Sequence, residues 1–253
     1  MARLDDIIAD LDRLLEPERF DDYCPNGLQV SGRPEIDRLV TGVSAHVELF
    51  RAALDAGADL VLTHHGILWA GDDPRVTGQL HRRLQLLLAS DVGLAAYHLP
   101  LDAHPELGNN ALIAAGLGCV DPRPFGLHRG REIGCRAEFP DGGIAPEELI
   151  RRVELLTARP PLAFPAGPTP VRSIGIVSGA GCSHLGEAIA AGLDAFVTGE
   201  PAERAMAQSR EAGIHFLAAG HHATETFGVR ALGDRLADRF GLEHVFIDVP
   251  NPI

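Results

Sequence analysis

Two nine-residue stretches of the chain, residues 94–102 and 217–225, follow nearly the same pattern. Each is an apolar run that leads to a histidine, and a carboxylate follows four residues later. The side chains concerned are His98 and Asp102 in the first stretch, and His221 and Glu225 in the second. Imidazole nitrogens and carboxylate oxygens are ligands that divalent metals favour in proteins. The repeated pattern therefore indicates one metal site that is assembled from two related parts of the chain.

A pair of adjacent histidines, His64 and His65, comes directly after an apolar run that is typical of a buried strand, residues 59–63. Inside a strand, neighbouring side chains face opposite ways. Just past its end, the backbone can turn both imidazoles toward one cleft, and ligand sites in open α/β sheets lie at the carboxyl ends of strands. The pair is either a polar loop or two further ligands, and we favour ligands.

The candidate ligands outnumber those that a single tetrahedral metal requires. They are His64, His65, His98, Asp102, His221, His222 and Glu225. Two metals that share a bridging carboxylate would use this set better, as in hydrolytic sites whose ions lie roughly 3.5–4 Å apart. Two alternatives remain open: Asp102 as a helix N-cap, and His221 with Glu225 as an i,i+4 pair on one helical turn.

For two of these seven residues, His98 and His222, we favour a role around the metals over ligation, and Glu200 is a third candidate for such a role. If residues 221–225 are helical, His222 points away from His221, so we assign it a role beside the ligands or at the substrate. His98 receives the same assignment because its strand end already supplies Asp102. Glu200 occupies the position in the second half that the histidine pair occupies in the first half, so it is a candidate to line the site.

The duplication extends upstream of both stretches. Each half has a short apolar run ending in Val-Ser, a segment of helical period, an Ala-Gly-x-Asp turn and a second apolar run ending in threonine. The turns are residues 56–59 and 191–194. Strands that alternate with helices predict α/β layers. We predict an α/β fold of two pseudo-symmetric halves packed around a dinuclear metal site.

Composition shifts at residues 121–125, and we place the division there. The first α/β half is residues 1–125, and the second is residues 126–253, whose C-terminal segment is a candidate to pack back on the first. The proline-rich residues 159–170 are typical of an extended connection. Periodicity predicts helices at 3–16, 46–56, 77–90, 109–117, 146–158 and 227–239. It predicts strands at 38–44, 59–63, 92–98, 131–139 and 244–249.

Composition excludes several classes of function. The formal charge of −13 argues against a broad nucleic-acid surface, which needs a basic patch. The absence of lysine excludes Schiff-base chemistry and a P-loop. Four separated cysteines without a Cys-x-x-Cys pair indicate reduced thiols. Reduced thiols predict a cytoplasmic protein. The acidic start without an apolar core segment argues against a signal peptide, and the lack of a long apolar run argues against a membrane span.

Five motifs together are specific enough for a family resemblance. They are Pro25-Asn-Gly-Leu-Gln-Val30, Thr63-His-His-Gly66, Tyr97-His-Leu-Pro-Leu-Asp102, Thr198-Gly-Glu200 and Gly220-His-His-Ala-Thr-Glu225. Over nearly its full length, the chain resembles the dinuclear-metal family named after the NGG-one-interacting factor, also called GTP cyclohydrolase 1 type 2-like. The match is to the short bacterial form. One departure is Tyr23-Cys24-Pro25, where many relatives have Trp-Asp-Asn, so the resemblance assigns that loop no role.

The resemblance implies two divalent metal ions, of iron, zinc or manganese, and a homohexameric ring with the metals facing an internal cavity. The five implied ligands are His64, His65, Asp102, His221 and Glu225, with Glu225 as the bridge. This set agrees with the one chosen from the residues and leaves out His98 and His222.

The leading functional hypothesis is metal-dependent hydrolysis, in which activated water attacks an electrophilic carbon such as C8 of guanine. Glu225, His98, His222 and Glu200 are the candidate catalytic residues, the last three as proton shuttles. A second hypothesis is a metal-dependent phosphoester or nucleotide hydrolase. The third is a ring that binds metal and protein partners without catalysis. A nucleotide or another small molecule is the expected substrate.

Overall fold

Strands and helices alternate along the whole chain, all 253 residues of which are described by the computed structural model. The strands are β1 (Ala2–Arg3), β2 (Gly27–Val30), β3 (Glu35–Ile36), β4 (Arg38–Ser44), β5 (Leu60–His65), β6 (Gly93–Ala96), β7 (Val120–His128), β8 (Arg131–Glu138), β9 (Leu162–Phe164), β10 (Ser173–Val177), β11 (Ala195–Thr198), β12 (His215–Ala218) and β13 (Glu243–Phe246). The α-helices are α1 (Leu4–Leu15), α2 (Val47–Asp55), α3 (Gly78–Ala89), α4 (Leu99–Asp102), α5 (Asn109–Gly116), α6 (Pro146–Thr157), α7 (Leu185–Ala190), α8 (Ala205–Ala212), α9 (His221–Thr224) and α10 (Thr226–Phe240). The predicted α/β class is confirmed.

The chain divides into two units. The first unit comprises Met1–Leu101 and Gly228–Pro250. Its main sheet has the order β13-β4-β5-β6-β2, in which β13, β4, β5 and β6 run parallel and β2 is antiparallel. Buried apolar residues of β4, β5, β6 and α2 form its core, among them Val40, Phe50, Val61 and Leu94. The parallel strands are near-continuous apolar runs, which is typical of strands covered on both faces.

The second unit comprises Asp102–Phe227 and Asn251–Ile253. Its sheet has the order β7-β8-β10-β11-β12-β9. The central strands β10, β11 and β12 are parallel, and the outer ones are antiparallel to their neighbours. Its core joins these strands to α5 and α6 through residues such as Ile113, Val153, Ile176 and Val197.

Each unit contains the predicted strand-helix-strand repeat, as β4-α2-β5-β6 in the first and β10-α7-β11-β12 in the second. The Ala-Gly-x-Asp turn has the same role in both. Asp59 Oδ2 accepts hydrogen bonds of 2.9 Å from the backbone N–H groups of Asp37 and Arg38, where β4 begins. Asp194 Oδ2 accepts hydrogen bonds of 2.7 and 3.1 Å from the N–H groups of residues 172 and 173, where β10 begins.

The two units divide in the chain between Leu101 and Asp102, whereas the sequence analysis placed the division at 125/126. The physical reason lies in residues 102–125. Helix α5 packs into the core of the second unit, and β7 pairs along β8 of the same sheet. Strand β7 runs through the proline-containing segment that was taken as a boundary, and it can do so because it is an edge strand. The segment 228–250 returns to the first unit, where β13 pairs with β4.

None of the helices combines the length and the apolar content that crossing a bilayer requires.

Candidate metal centre

Three imidazoles meet in the first unit, at the ends of β5 and β6. The ring centroids of His64 and His65 are 4.8 Å apart, and those of His64 and His98 are 5.0 Å apart. One ring nitrogen of each residue lies within 4.8 Å of the other two. His64 is fully buried and His65 and His98 are half-buried.

The histidine pair lies inside a strand and does not follow it, which corrects the prediction that His64 and His65 come after β5. They are the last two residues of β5. His65 is the register partner of Ser44, the last residue of the parallel strand β4. The register of β5 with β6 ends at Thr63 and Ala96, so the end of β5 is paired with β4 alone. Both rings then approach His98 although their residues are adjacent in a strand.

Each histidine of the pair is held through Nδ1. His64 Nδ1 donates to the backbone carbonyl of Tyr97 at 3.1 Å. A carbonyl oxygen can only accept, so Nδ1 carries the proton and the metal-binding lone pair is on Nε2. His65 Nδ1 shares a hydrogen bond of 3.0 Å with Ser44 Oγ. Metal-ligating histidines usually have their second ring nitrogen engaged in this way, which fixes tautomer and ring orientation.

In the second unit, a buried polar network holds the carboxylate of Asp102. Asp102 Oδ1 accepts from Asn109 Nδ2 at 2.8 Å and from Ser178 Oγ at 3.0 Å. The neighbouring Asn110 accepts from the Ser178 backbone N–H at 2.7 Å and donates to the Ile133 carbonyl at 2.8 Å. Asp102 is the last residue of α4, and the N-cap of α5 is residue 108, so Asp102 is not a helix N-cap.

His221 and Glu225 lie together in the same unit. His221 begins α9, and its Nε2 lies 3.1 Å from Glu225 Oε1. His221 Nδ1 shares a short hydrogen bond with Glu200. Glu225 is 2% exposed. The i,i+4 pairing that the sequence left as an alternative is therefore present, with Glu200 on the opposite side of the ring.

Two carboxylates raise the pKa of His221. Burial lowers this pKa, but the hydrogen bonds and negative charges of Glu225 and Glu200 outweigh burial and raise it to about 9. In the metal-free protein, a proton on His221 thus holds the two carboxylates together. A divalent cation held by His221 and Glu225 would replace that proton, since metal binding releases protons from its ligands.

The two-residue segment Ser178–Gly179 connects these groups. Ser178 binds Asp102, and a Cβ on Gly179 would lie 2.2 Å from Glu225 Oε1 and 3.1 Å from His221 Nε2. Gly179 has φ +58°, and its N–H donates to Thr224 Oγ1 at 3.0 Å. Only glycine leaves room for the carboxylate at this position. Asp102 and Glu225 therefore approach the same short stretch of backbone.

For His222, a candidate for a role beside the ligands, the structure gives a backbone contact. It follows His221 in α9, and its backbone N–H donates to the Ile253 carbonyl at 3.0 Å.

The sequence analysis missed the residues that anchor the candidate ligands, namely Ser44, Tyr97, Asn109 and Ser178. One signal was available, because both serines belong to the duplicated Val-Ser motif. In the structure, each of these serines follows or ends the first strand of its repeat and bonds a candidate ligand.

The donor set fits a divalent cation. It consists of imidazole nitrogens and carboxylate oxygens, which suit iron, zinc and manganese. Thiolates contribute nothing here, since all four cysteines are thiols and burial raises the pKa of each. The absence of a side chain at Gly179 lets the Glu225 carboxylate lie close to the backbone there.

A model of the family described as Duf34/NIF3 (NGG1p interacting factor 3) matches residues 2–252. The chain belongs to the DUF34/NIF3 family. A relative from Pseudomonas aeruginosa named GTP cyclohydrolase 1 type 2 homolog is 47% identical over 249 residues, which is 98% of each chain. A relative of the same name from Allochromatium vinosum is 42% identical over 252 residues, covering 100% of this chain and 98% of the relative.

The fold is likewise that of solved DUF34/NIF3 relatives. A structure described as protein ybgI, of unknown function, superimposes with a TM-score of 0.93 at 40% identity and 100% coverage of both chains. TTHA1606 from Thermus thermophilus gives a TM-score of 0.91 at 36% identity, again with 100% coverage of both. The resemblance stated from the five motifs is confirmed.

Proposed function

We propose that this protein is a dinuclear metal-dependent hydrolase. Its ions would be held by two ligand sets, one in each unit: His64 and His65 in the first, and Asp102, His221 and Glu225 in the second. Each set combines metal-binding side chains within its own unit. Five ligands with a bridging carboxylate suit a pair of divalent ions better than one.

The observation that carries the proposal is the way the imidazoles are anchored. His64, His65 and His221 are each engaged through Nδ1, by a carbonyl, a hydroxyl and a carboxylate respectively. In each of these rings the opposite nitrogen, Nε2, is the atom that would bind a metal, and metal-ligating histidines usually have their other ring nitrogen engaged in this way.

Two divalent ions in such a site would supply an activated water near neutral pH and polarise the substrate. The protein's own groups would do the rest. Glu225, which is almost fully buried and lies beside His221, would serve as a metal ligand. Glu200 would keep the His221 ring in one orientation. His98, beside His64 and His65, is close enough to exchange a proton with a bound water, and His222 is the second candidate for that task.

Ring opening of a purine nucleotide is the reaction we favour, with GTP as the first substrate to test. The support is the name GTP cyclohydrolase 1 type 2 homolog carried by relatives at 42–47% identity over nearly the whole chain. Because one fold supports many chemistries, the site must decide the reaction, and the name alone cannot.

The proposal is tested with protein purified without oxygen and loaded separately with Fe²⁺, Zn²⁺ or Mn²⁺. Each form is given GTP, other nucleotides and pterins, and ring opening is followed by ultraviolet absorbance and by release of formate. Glu225→Gln should abolish turnover, whereas Glu211→Gln, an exposed control on α8, should retain it.

Other outcomes reassign the protein. Phosphate release without ring opening would make it a phosphoester hydrolase. Stoichiometric metal without turnover on any of these substrates would favour a metal-binding ring that recruits protein partners. Full activity of Glu225→Gln would refute the proposed role of that carboxylate.

We also propose that the protein acts in the cytoplasm as a homohexameric ring. The four unpaired thiols suit a reducing compartment, and the hexamer follows from family resemblance alone. Light scattering combined with size exclusion tests the assembly, and a mass of one or two chains would contradict it.

A further inference from the structure

The loop of residues 22–26 forms hydrogen bonds with both the side chain and the backbone of His98. The side chain of Asp22 is 3% exposed, and its Oδ1 accepts from His98 Nδ1 at 2.7 Å. Its Oδ2 accepts from Asn26 Nδ2 at 2.9 Å and from the Leu99 backbone N–H at 3.0 Å. Asn26 Oδ1 in turn accepts from the His98 backbone N–H at 2.7 Å. Backbone and side chain of His98 are thus both fixed by one short loop.

These contacts fix where the proton of His98 resides. Burial raises the pKa of Asp22, but the hydrogen bonds from His98, Asn26 and Leu99 outweigh burial and lower it below its ordinary value. An ionised carboxylate can only accept hydrogen bonds. Nδ1 of His98 must therefore be the protonated nitrogen, which leaves the acceptor lone pair on Nε2.

The environment of the His98 ring is the histidine cluster of the first unit. The ring centroid of His98 lies 5.0 Å from that of His64, 5.4 Å from that of His65 and 5.4 Å from that of Trp69. Trp69 meets it edge-on, at an interplanar angle of 79°. Packing and hydrogen bonds together leave the imidazole one orientation.

We infer that Asp22 is a positioning residue that holds His98 as the Nδ1–H tautomer, so that Nε2 can accept a hydrogen bond from a water or hydroxyl beside His64 and His65. The inference rests on the proposed function and adds to it a defined acceptor and the group that orients it. When such a water attacks, its proton passes to Nε2 and the resulting imidazolium is paired with Asp22. Asp22 itself stays ionised, as does the aspartate of a Ser-His-Asp triad.

A competing interpretation is that Asp22, Cys24 and His98 bind a metal themselves, since one ligand atom of each lies within 4.8 Å of the others. Two observations argue against it. Both oxygens of Asp22 already accept hydrogen bonds from the groups described above. Burial and the charge of Asp22 also raise the pKa of the Cys24 thiol to about 12, so the thiolate that metals require is scarce at neutral pH.

The substitution Asp22→Asn separates these interpretations. In one orientation, the new amide NH₂ faces the N–H groups of Asn26 and Leu99, which are donors. In the other, it faces one fixed donor, the Tyr23 backbone N–H at 2.6 Å, and His98 Nδ1, which can accept from it once the ring proton moves to Nε2. We therefore expect the Nε2–H tautomer of His98 to be populated in Asp22→Asn.

The first readout is nitrogen NMR of metal-free protein labelled at histidine, with His98→Gln to assign the resonance. Wild type and the control Cys24→Ala should show His98 protonated at Nδ1, and Asp22→Asn should shift that proton to Nε2. Asp22→Ser serves if Asp22→Asn fails to fold. An Nε2-protonated His98 in wild type, or an unchanged tautomer in the Asp22 variants, would overturn the inference.

The second readout is metal content after loading with Mn²⁺ or Zn²⁺. His98→Gln and Asp22→Asn should retain the wild-type content, whereas His64→Gln should lose it. If His98→Gln loses as much metal as His64→Gln, His98 is a ligand and the inference is wrong. If Cys24→Ala loses metal, the competing interpretation, in which Asp22, Cys24 and His98 bind a metal, is correct.

The third readout is turnover of GTP. Asp22→Asn should lower kcat by about 10²-fold or more with KM changed less than about threefold, as expected when a proton acceptor is misoriented. If wild type turns over GTP and Asp22→Asn equals it, only the inference about Asp22 fails. If wild type shows no turnover, the proposed function fails, and the tautomer and metal readouts still decide the role of Asp22.

Discussion

The substitution Gly179→Ala tests whether the second unit is built around an accurately placed Glu225. Gly179 has φ +58°, a left-handed conformation that costs a residue with a Cβ about 1–2 kcal/mol. Its new Cβ would lie 2.2 Å from Glu225 Oε1, well inside the roughly 3.4 Å at which ordinary contacts begin. The carboxylate must therefore retreat by about 1 Å.

A displacement of that size matters because metal–ligand distances deviate by only about 0.2 Å from their preferred values. Changes to groups that orient ligands typically weaken metal binding about 10–100-fold. We expect Gly179→Ala to fall at the upper end of that range or beyond it, since Glu225 is itself a proposed ligand. The pKa of His221 should also fall from about 9, because one of the carboxylates that raise it is displaced.

Gly192→Ala is the matched control. Gly192 has φ +67° in the same unit, and a Cβ added there would have no atom within 4 Å. Both variants carry the backbone strain, and only Gly179→Ala carries the collision. Urea denaturation of the metal-free proteins measures the strain, and calorimetric titration with Mn²⁺ measures the affinity. Equal metal affinity in the two variants would refute the reasoning.

Three further predictions concern the elements that support the site. Leu62→Ala, directly before Thr63 in β5, should lower the free energy of unfolding by about 2–5 kcal/mol in urea denaturation, because Leu62 is fully buried. The control Leu88→Ala, at an exposed position, should lower it by less than about 0.5 kcal/mol. Equal losses in the two variants would contradict the assigned core. Asp59→Ala should cost about 1–3 kcal/mol by leaving two N–H groups at the start of β4 without their acceptor; wild-type stability would show that the turn is dispensable. In metal-free protein, the raised pKa of His221 contributes stability that is fully present below about pH 6.5 and is lost as pH rises through about 9, on the order of 3 kcal/mol. His221→Gln should lose this dependence, and a flat wild-type profile would count against the pairing.

The sequence predicted the features that depend on local pattern. The duplicated Val-Ser and Ala-Gly-x-Asp motifs identified the strand-helix-strand repeat. The aspartate of each turn accepts hydrogen bonds from backbone N–H groups at the start of β4 or β10, so the same residue type recurs in both halves. The spacing of His221 and Glu225 placed both on one turn, where the structure finds them 3.1 Å apart.

Features that depend on long-range pairing were not predictable in this way. His64 and His65 lie inside β5 because its pairing with β4 continues to Ser44 and His65, beyond the point where its pairing with β6 stops, which is a matter of register. The association of residues 102–125 with the second unit depends on the pairing of β7 with β8.

The anchoring contacts are also non-local. Asp22 and His98 are 76 residues apart in the chain, as are Asp102 and Ser178. No periodicity or spacing rule connects such pairs. Asp22 lies directly before the Tyr23-Cys24-Pro25 segment, where the sequence departs from the family pattern, so no family motif pointed to its contact with His98.

Metal content per chain, measured by mass spectrometry after loading and exhaustive dialysis, tests directly whether the protein holds two ions. We expect about two divalent ions per chain in wild type. We expect a clear loss in His64→Gln and in Glu225→Gln, one variant for each unit, and none in Glu211→Gln. A wild-type chain that retains no metal, or ligand variants that retain the wild-type amount, would contradict it.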